Sequence, residues 1–303
     1  MQMAGGVLPV LATPFDRHSE IDRTQLERLV DWQYEQGADG VTIAMVSEIL
    51  RLSVSERESL AAAVVAASAD RGSVVVSVGH ESTHLATRLA KSAETTGATA
   101  IMAIPPISVP LADDQLLGYF SAIADSTVLP LIVQDASGYV GTPMSISLQA
   151  RLLEDFGAEK ILFKPEAVPL GPRLTALMDA TGQRAQAFEG SGGSALIDTY
   201  PRGVVGTMPG SDLTWAVKAL WYALENKQVA RADEIHSALL PLVSLSPGLD
   251  TYIAVEKYLL HKQNVLETQY VREPASYRID EATRIVADRM FDQLNHVVRG
   301  GKK

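Results

Sequence analysis

The chain contains no cysteine among its 303 residues. Disulfide bonds, thiolate zinc sites, iron–sulfur clusters and cysteine nucleophiles are therefore excluded as a basis for its structure or chemistry. Positive charge is also in deficit, because 26 Lys and Arg face 36 Asp and Glu and leave a formal net charge of −10. A nucleic-acid-binding protein needs clustered positive charge to release counterions from phosphate, so we expect no nucleic-acid partner.

Long apolar runs are missing as well. No window approaches the roughly 20 apolar residues that a membrane span requires, and residues 1–10 lack the basic start and apolar run of a signal peptide. We therefore expect no membrane partner and a cytoplasmic protein. Hydrophobic residues nevertheless make up 47% of the chain and charged residues 20%, which is typical of a globular protein with a large core.

The sequence does contain an alternation of short apolar, β-branched runs with segments of helical periodicity. Eight such runs are predicted as strands that are buried on both faces. They cover residues 7–12, 40–44, 74–78, 100–104, 129–134, 160–164, 186–188 and 203–207. Eight strands with a helix between each consecutive pair favour an α/β fold of the (β/α)8 TIM barrel type, in which right-handed crossovers join parallel strands.

An open doubly wound sheet is the alternative to the barrel. Such sheets commonly bind nucleotides through G-x-G-x-x-G or G-x-x-x-x-G-K-[ST] after a strand, and neither motif follows a strand here. Beyond the eighth run only helical periodicity continues, over residues 213–225, 229–245, 249–261 and 280–298. We therefore predict a barrel over residues 1–226 and a C-terminal helical extension over residues 227–303 that packs on it.

The carboxyl ends of the strands are where a barrel of this type carries its catalytic groups. Lys164 ends the apolar run Ile161-Leu162-Phe163, and burial of an ammonium group is costly unless its pKa falls. A lysine with a lowered pKa is a nucleophile that forms a Schiff base with a ketone. The alternative is a strand-end lysine that reaches solvent or pairs with Glu166.

Other strand ends carry polar groups for which two roles are open. Glu48 either caps the helix that begins near Ser53 or bonds a backbone amide, or it contacts a ligand. The loop that starts at Glu189 and Gly190 is rich in glycine, and its N–H groups suit an anion, a ligand carboxylate or a close backbone approach. His80 is a candidate general base, but no second ligand lies near it at metal spacing, so we predict no metal site.

These features resemble the dihydrodipicolinate synthase / N-acetylneuraminate lyase family. The resemblance covers essentially the whole chain. It rests on motifs that follow or end three of the predicted strands, on a glycine-flanked motif before the last helical region, and on a lysine in a late helix. The motifs are Thr13-Pro14-Phe15, Ser47-Glu48, Leu52-Ser53, Glu56-Arg57, Lys164, Gly203-Val204-Val205-Gly206 and Lys257.

The resemblance implies a class I lyase in which Lys164 attacks the C2 ketone of pyruvate or another 2-oxo acid. The protonated imine then draws electrons from C3, which permits aldol cleavage, aldol formation or loss of a hydroxyl without a metal. No cofactor is implied. The resemblance also implies a homotetramer that is built as a dimer of dimers.

The sequence departs from the family where the family carries protons and binds carboxylates. Ala44-Met45-Val46-Ser47-Glu48 replaces a Gly-Thr-Thr-Gly-Glu stretch, which leaves backbone N–H groups to hold the substrate carboxylate. The tyrosine that shuttles protons at the end of strand five falls on Gln134, which has no useful pKa. A tyrosine from the neighbouring subunit falls near Ile107, and an arginine for the aldehyde substrate falls near Tyr139.

We therefore predict a Schiff-base lyase, an aldolase or a dehydratase, that acts on a 2-oxo acid outside the lysine-pathway reaction. The alternative is a barrel that has lost its chemistry and binds a small acidic metabolite as a sensor or within an assembly. The predicted catalytic positions are Lys164 and Gln134. The predicted substrate-binding residues surround the same mouth and are Val46, Ser47, Glu48, Asp135, Glu166, Glu189, Gly190 and Val205.

Overall fold

A computed structural model describes residues 3, 5–138 and 141–300 of the protein. Within them, strands and helices alternate as the sequence predicts. The strands are β1 (Gly6–Val7), β2 (Gly40–Ile43), β3 (Ser73–Ser77), β4 (Ala100–Ala103), β5 (Leu131–Asp135), β6 (Ile161–Pro165), β7 (Phe188–Glu189) and β8 (Gly206–Thr207). The α-helices are α1 (Arg23–Glu35), α2 (Val54–Ser68), α3 (Thr83–Thr96), α4 (Asp113–Asp125), α5 (Ile146–Phe156), α6 (Leu170–Ala180), α7 (Leu196–Thr199), α8 (Thr214–Glu225), α9 (Val229–Val243), α10 (Leu249–Lys262) and α11 (Glu281–Arg299).

The strands form two hydrogen-bonded groups that single bridges join into a closed barrel. Strands β2 to β6 pair in sequence order, and β8 lies between β1 and β7. A bridge from Val10 to Thr42 connects the first strand region to β2, and a bridge from Phe163 to Ala187 connects β6 to the start of β7. All ladders are parallel, so the carboxyl ends of the strands meet at one mouth and the predicted barrel is confirmed.

The first strand is shorter than the apolar run over residues 7–12 predicts. Pro9 interrupts it, because proline has no N–H to donate to the ladder. The backbone still follows the strand path beyond the proline. The carbonyl of Pro9 accepts from the Thr42 N–H at 2.8 Å, and the N–H of Val10 donates to the carbonyl of Pro209 at 2.7 Å.

Apolar side chains fill both the inside of the barrel and the space between the strands and the outer helices. Leu162, Phe188 and Met208 belong to the interior cluster, and the outer cluster continues into the C-terminal helices. Trp215 of α8 meets Phe291 of α11 edge to face, with ring centroids 5.8 Å apart. The helical extension is therefore present and packs on the barrel, while its boundary at residue 227 stays a prediction.

None of the helices in the described part of the chain combines the length and the hydropathy of a membrane span.

A buried ion pair ties α10 to the loop after β2. The ammonium of Lys257 lies 2.5 Å from Glu48 Oε1, and neither side chain is more than 1% exposed. The second Glu48 oxygen accepts from the backbone N–H of Arg272 at 2.9 Å. Lys257 and Arg272 also lie over the ring of Phe15, each 4.6 Å from its centroid. This cluster therefore joins the first strand region, the β2 loop and the helical extension.

Replacement of Lys257 by Met should destabilise the fold strongly, because the buried Glu48 carboxylate then keeps only the longer ion pair with Arg51, at 3.6 Å. We expect the free energy of unfolding in urea to fall by about 3 to 5 kcal/mol. Arg28→Met is the matched control, since Arg28 pairs with Glu267 at the surface, where the two side chains are 45% and 65% exposed. That control should change the free energy of unfolding by less than about 1 kcal/mol. Equal losses for the two variants would contradict the role of the buried pair.

Candidate active site at the mouth of the barrel

The strand β6 places Lys164 inside the mouth of the barrel. Leu162, two residues earlier, packs in the barrel interior, and side chains two residues apart on a strand point to the same face. Lys164 lies beside Gln134 of β5 in the strand register, and its side chain is 5% exposed. The lysine is therefore held at the inner edge of the barrel and does not extend into solvent.

Glu166 pairs with this lysine. Its Oε1 lies 2.7 Å from the Lys164 ammonium, and its Oε2 accepts a hydrogen bond from Gln134 Nε2 at 2.8 Å. Burial raises the pKa of the Glu166 carboxyl above its ordinary value, although Lys164 and Gln134 both stabilise its charged form. A carboxyl group with a raised pKa beside an amine is suited to accept a proton and return it.

The glycine-rich loop after β7 makes room for this carboxyl group. A Cβ atom on Gly190 would lie 2.6 Å from Glu166 Oε1 and 3.0 Å from its carboxyl carbon. The absence of a side chain at Gly190 thus allows a close approach of the loop to Glu166, which is one of the roles that the sequence leaves open for this loop.

A small cavity opens at the mouth of the barrel, and Lys164 lines it. Five of the residues predicted for the site line it and so lie together in space. They are Val46, Gln134, Lys164, Glu166 and Gly190.

Two neighbouring residues of the β2 loop serve the fold instead. Ser47 is 1% exposed, its hydroxyl donates to the carbonyl of Leu11 at 2.5 Å, and its N–H donates to the carbonyl of Ala44 at 2.9 Å. Glu48 is bound to Lys257, as described above. Neither residue is among the described residues that line the cavity. The polar side chains of both are already bonded to other groups of the protein.

The carboxylates of Asp135 and Glu189 already have partners within the protein. Asp135 accepts from the hydroxyl of Ser137 at 2.6 Å and from the N–H of Met144 at 3.1 Å. Glu189 accepts from the N–H of Ser191 at 2.7 Å and, through Oε2, from Gly193 N–H and the Thr207 hydroxyl. Neither carboxylate lines the cavity among the described residues.

Of three further positions, Val205 and His80 do not line the cavity, and the third lies outside the described residues. Val205 precedes β8 at its amino end, where its carbonyl accepts from Gly6 N–H at 3.0 Å, so it stands at the opposite end of the barrel. His80 accepts from the N–H of Ser82 through Nδ1 at 3.2 Å, and burial lowers the pKa of its imidazole. Tyr139 lies outside the described residues.

Tyr252, which the sequence does not single out, lines the cavity from α10 together with Leu249. Its hydroxyl accepts a hydrogen bond from the N–H of Gly210 at 2.9 Å. Tyr252 lies in a helix of the C-terminal extension and not at a strand end, and helical periodicity alone does not tell which residue of α10 faces the mouth.

Known proteins are similar to this chain over most of its length. A profile of the dihydrodipicolinate synthetase family matches residues 3–290. The chain is 26% identical over 274 residues to L-2-keto-3-deoxyarabonate dehydratase of Azospirillum brasilense, which covers 89% of this chain and 88% of that protein. It is 31% identical over 247 residues to 4-hydroxy-tetrahydrodipicolinate synthase of Thermomicrobium roseum, with 79% of each covered.

Solved structures share the fold. A crystal structure of dihydrodipicolinate synthase from Rhodopseudomonas palustris superimposes with a TM-score of 0.88 at 24% sequence identity. The superposition covers 96% of this chain and 97% of that one. The helical extension is therefore part of the shared architecture.

Gly190→Ala should displace the Glu166 carboxyl group, because the new Cβ atom would overlap Oε1. We expect a loss of about 1 to 3 kcal/mol in the free energy of unfolding, as for other overpacked sites. Gly118→Ala is the control, since Gly118 lies in α4 with nothing within 4 Å of the added atom. That variant should gain roughly 0.5 to 1 kcal/mol from its helical propensity. A Gly190→Ala protein as stable as the wild type would contradict the close approach.

Proposed function

Because the chain belongs to the dihydrodipicolinate synthetase family, we propose that Lys164 is the nucleophile of a Schiff-base lyase that removes water from a hydroxylated 2-oxo acid. The protein is a class I lyase that acts on pyruvate or another 2-oxo acid. The observation that carries the proposal for the site is the buried ammonium of Lys164, 2.7 Å from a carboxyl group with a raised pKa.

Formation of the Schiff base needs a neutral amine. Lys164 and Glu166 are in hydrogen-bond contact, so the ammonium proton passes to the carboxylate in one step. A neutral amine and a neutral carboxylic acid are less costly to bury than an ion pair, which favours this transfer once the mouth is filled by substrate. The amine then attacks C2 of the 2-oxo acid, and the carbinolamine takes a proton from Glu166 and loses water to form the iminium.

The same carboxylate completes the dehydration. Glu166 removes a proton from C3, and the electron pair of that C–H bond forms the enamine. The enamine electrons then expel the hydroxyl group on C4, which leaves as water with the proton that Glu166 returns. Hydrolysis of the new imine releases the unsaturated product and restores Lys164. One titrating carboxyl therefore accounts for each proton that moves.

Gln134 orients this carboxyl and does not titrate. Its Nε2 donates to Glu166 Oε2, which leaves Oε1 directed at Lys164. The relative from Azospirillum brasilense is named for a dehydration, and this supports a dehydratase over an aldolase here. A 2-keto-3-deoxy acid, with hydrogen atoms at C3 and a hydroxyl at C4, is the substrate class that fits the reaction. Val46 is the residue of the β2 loop that we propose next to the substrate carboxylate.

Incubation with pyruvate and borohydride should attach one reduced pyruvate to the protein, as read from the mass of the intact chain. Lys164→Ala should abolish the adduct because it removes the amine. Lys91→Ala, a change of a lysine on the outer helix α3, should leave the adduct intact. An adduct that persists in Lys164→Ala, or that never forms with the wild type, would overturn the assignment of the nucleophile.

Glu166→Gln tests the proton transfers of the reaction. After long incubation the variant should still be trapped by borohydride, because the reduced adduct accumulates irreversibly even when the Schiff base forms slowly. It should dehydrate L-2-keto-3-deoxyarabonate at least about 100-fold more slowly, because the amide cannot carry the C3 proton. Glu58→Gln is the control, since Glu58 pairs with Arg88 on the outer surface. An unchanged dehydration rate in Glu166→Gln would show that another group moves the proton.

We further propose that the protein is a cytoplasmic homotetramer, a dimer of dimers. Exposed apolar side chains on the loop after β4 support association, since Ile107 is 36% and Val109 is 54% exposed and both line a shallow groove with three prolines. Light scattering on the eluate of a sizing column should give four chains per particle. Val109→Asp should shift the particle towards smaller species, and a monomeric wild type would contradict the proposal.

A further inference from the structure

Two carboxyl groups lie behind the wall of the Lys164 cavity, and the mechanism above uses neither. Glu256 of α10 is 1% exposed, and Asp212, which precedes α8, is 6% exposed. Both line one small internal cavity with Tyr252 and Ser246. We call Asp212 and Glu256 the acid pair.

Only one carboxylate oxygen of Glu256 has hydrogen-bond partners among the described residues. Its Oε1 accepts from the N–H of Ser211 at 2.6 Å and from the hydroxyl of the same residue at 2.7 Å. Its Oε2 is buried and has no hydrogen-bond partner among the described residues. A buried carboxylate oxygen without a donor is costly, whereas a protonated oxygen has a hydrogen to donate to the neighbouring carboxylate.

No cation among the described residues binds the acid pair. The nearest, Lys257, follows Glu256 in α10 but directs its ammonium to Glu48 and to the carbonyl of Tyr270. Among the described residues, α9 contributes only Leu242 and Val243 to the cavity and the segment after it contributes Ser246. Tyr252 lines the cavity from α10. Besides burial, the groups that set the charge state of Glu256 are Asp212, Ser211 and Lys257.

Two buried acids thus line one small cavity, where two negative charges would repel each other and lose most of their contact with bulk water. Burial raises the pKa of Asp212 to about 7. Burial and the charge of Asp212 raise the pKa of Glu256 to about 8. The acid pair titrates as a unit, and near neutral pH it holds a proton.

Tyr252 connects the acid pair to the substrate cavity, because its side chain lines both. A Cβ atom on Gly210 would lie 2.5 Å from the Tyr252 hydroxyl and 3.0 Å from Asp212 Oδ1. The phenol and the acid therefore lie on the same face of Gly210, and the N–H of Gly210 donates to the phenol. A change of charge on Asp212 therefore takes place next to this contact.

We propose that Asp212 and Glu256 share one proton that holds Gly210 and Tyr252 in place, and that Tyr252 is a positioning residue for the hydroxylated end of the substrate. The inference rests on the proposed function, since it assigns a specificity role within the same cavity. Loss of the shared proton puts two charges behind Tyr252, moves the segment after β8 and weakens binding of the hydroxylated acid.

The test measures the half-saturating concentrations of L-2-keto-3-deoxyarabonate and of pyruvate in borohydride trapping, from about pH 6 to about pH 9, which brackets both ionisations. For the wild type, the half-saturating concentration of L-2-keto-3-deoxyarabonate should be roughly tenfold higher near pH 9 than near pH 6, which is the effect expected from the loss of one hydrogen bond. The value for pyruvate, which has no hydroxyl group, should change less. Tyr252→Phe should raise only the value for the hydroxylated acid, at every pH.

Glu256→Gln is the decisive variant, because its amide cannot lose a proton at these pH values. It should flatten the alkaline rise, and Asp212→Asn should do the same and serves if the first variant fails to fold. A variant that folds and keeps the alkaline rise of the wild type would overturn the inference. A wild type that traps neither compound would instead refute the proposed function, so the two failures are distinguishable.

Thermal unfolding gives a second measurement that needs no ligand. The pKa of Glu256 is about 8 in the folded protein against 4.5 for an ordinary glutamate. The unfolded chain therefore releases this proton at a lower pH than the folded protein does. The free energy of unfolding consequently falls as the pH rises from 4.5 towards 8. Glu256→Gln should remove this loss, so its Tm should exceed that of the wild type at the upper end of the range and converge with it at the lower end. Parallel Tm curves would contradict a shared proton.

Discussion

Inside the mouth of the barrel, the ammonium of Lys164 is withdrawn from bulk water and depends on the carboxylate of Glu166 for its charge balance. A charge in such a place is tolerated only when it is paired, hydrogen-bonded or neutralised by a proton. The same constraint applies to every acid around the mouth. Glu48 is paired with a lysine, Glu189 is surrounded by donors, and Glu256 keeps a proton. Among the described residues, Glu166 is left as the acid that both contacts Lys164 and lines the cavity.

The fold follows from the sequence because parallel strands that are covered on both faces must be apolar throughout, and such runs are visible without any structural knowledge. Their number and order predict the closed barrel. The residues at which the hydrogen-bonded strands end cannot be read from these runs. A residue such as Pro9 interrupts the ladder although the chain keeps its direction and stays buried. An apolar run therefore marks the path of a strand better than its hydrogen-bonded length.

The candidate site is predicted in part. Lys164, Gln134 and Glu166 come together because neighbouring strands have a fixed register, which a pattern of eight strands already implies. The partner of Glu48 could not be found this way, because Lys257 lies 209 residues further along the chain. Tyr252 reaches the cavity from a helix whose rotation depends on tertiary contacts. Sequence patterns identify which side chains occupy a strand end, but contacts between distant segments decide which of them remain available to a ligand.

The acidity of the whole chain bears on how its cavity receives an anionic substrate. With a net charge of −10, the average field of the protein repels a 2-oxo acid, so the local field near Lys164 must be less negative than the average. Surface cations do little here, because salt screens them over about 10 Å. Each buried acid that retains a proton, however, removes one negative charge close to the site. Acids that retain a proton near the Lys164 ammonium therefore help an acidic protein to bind an acidic substrate, and the same protons make that binding sensitive to pH.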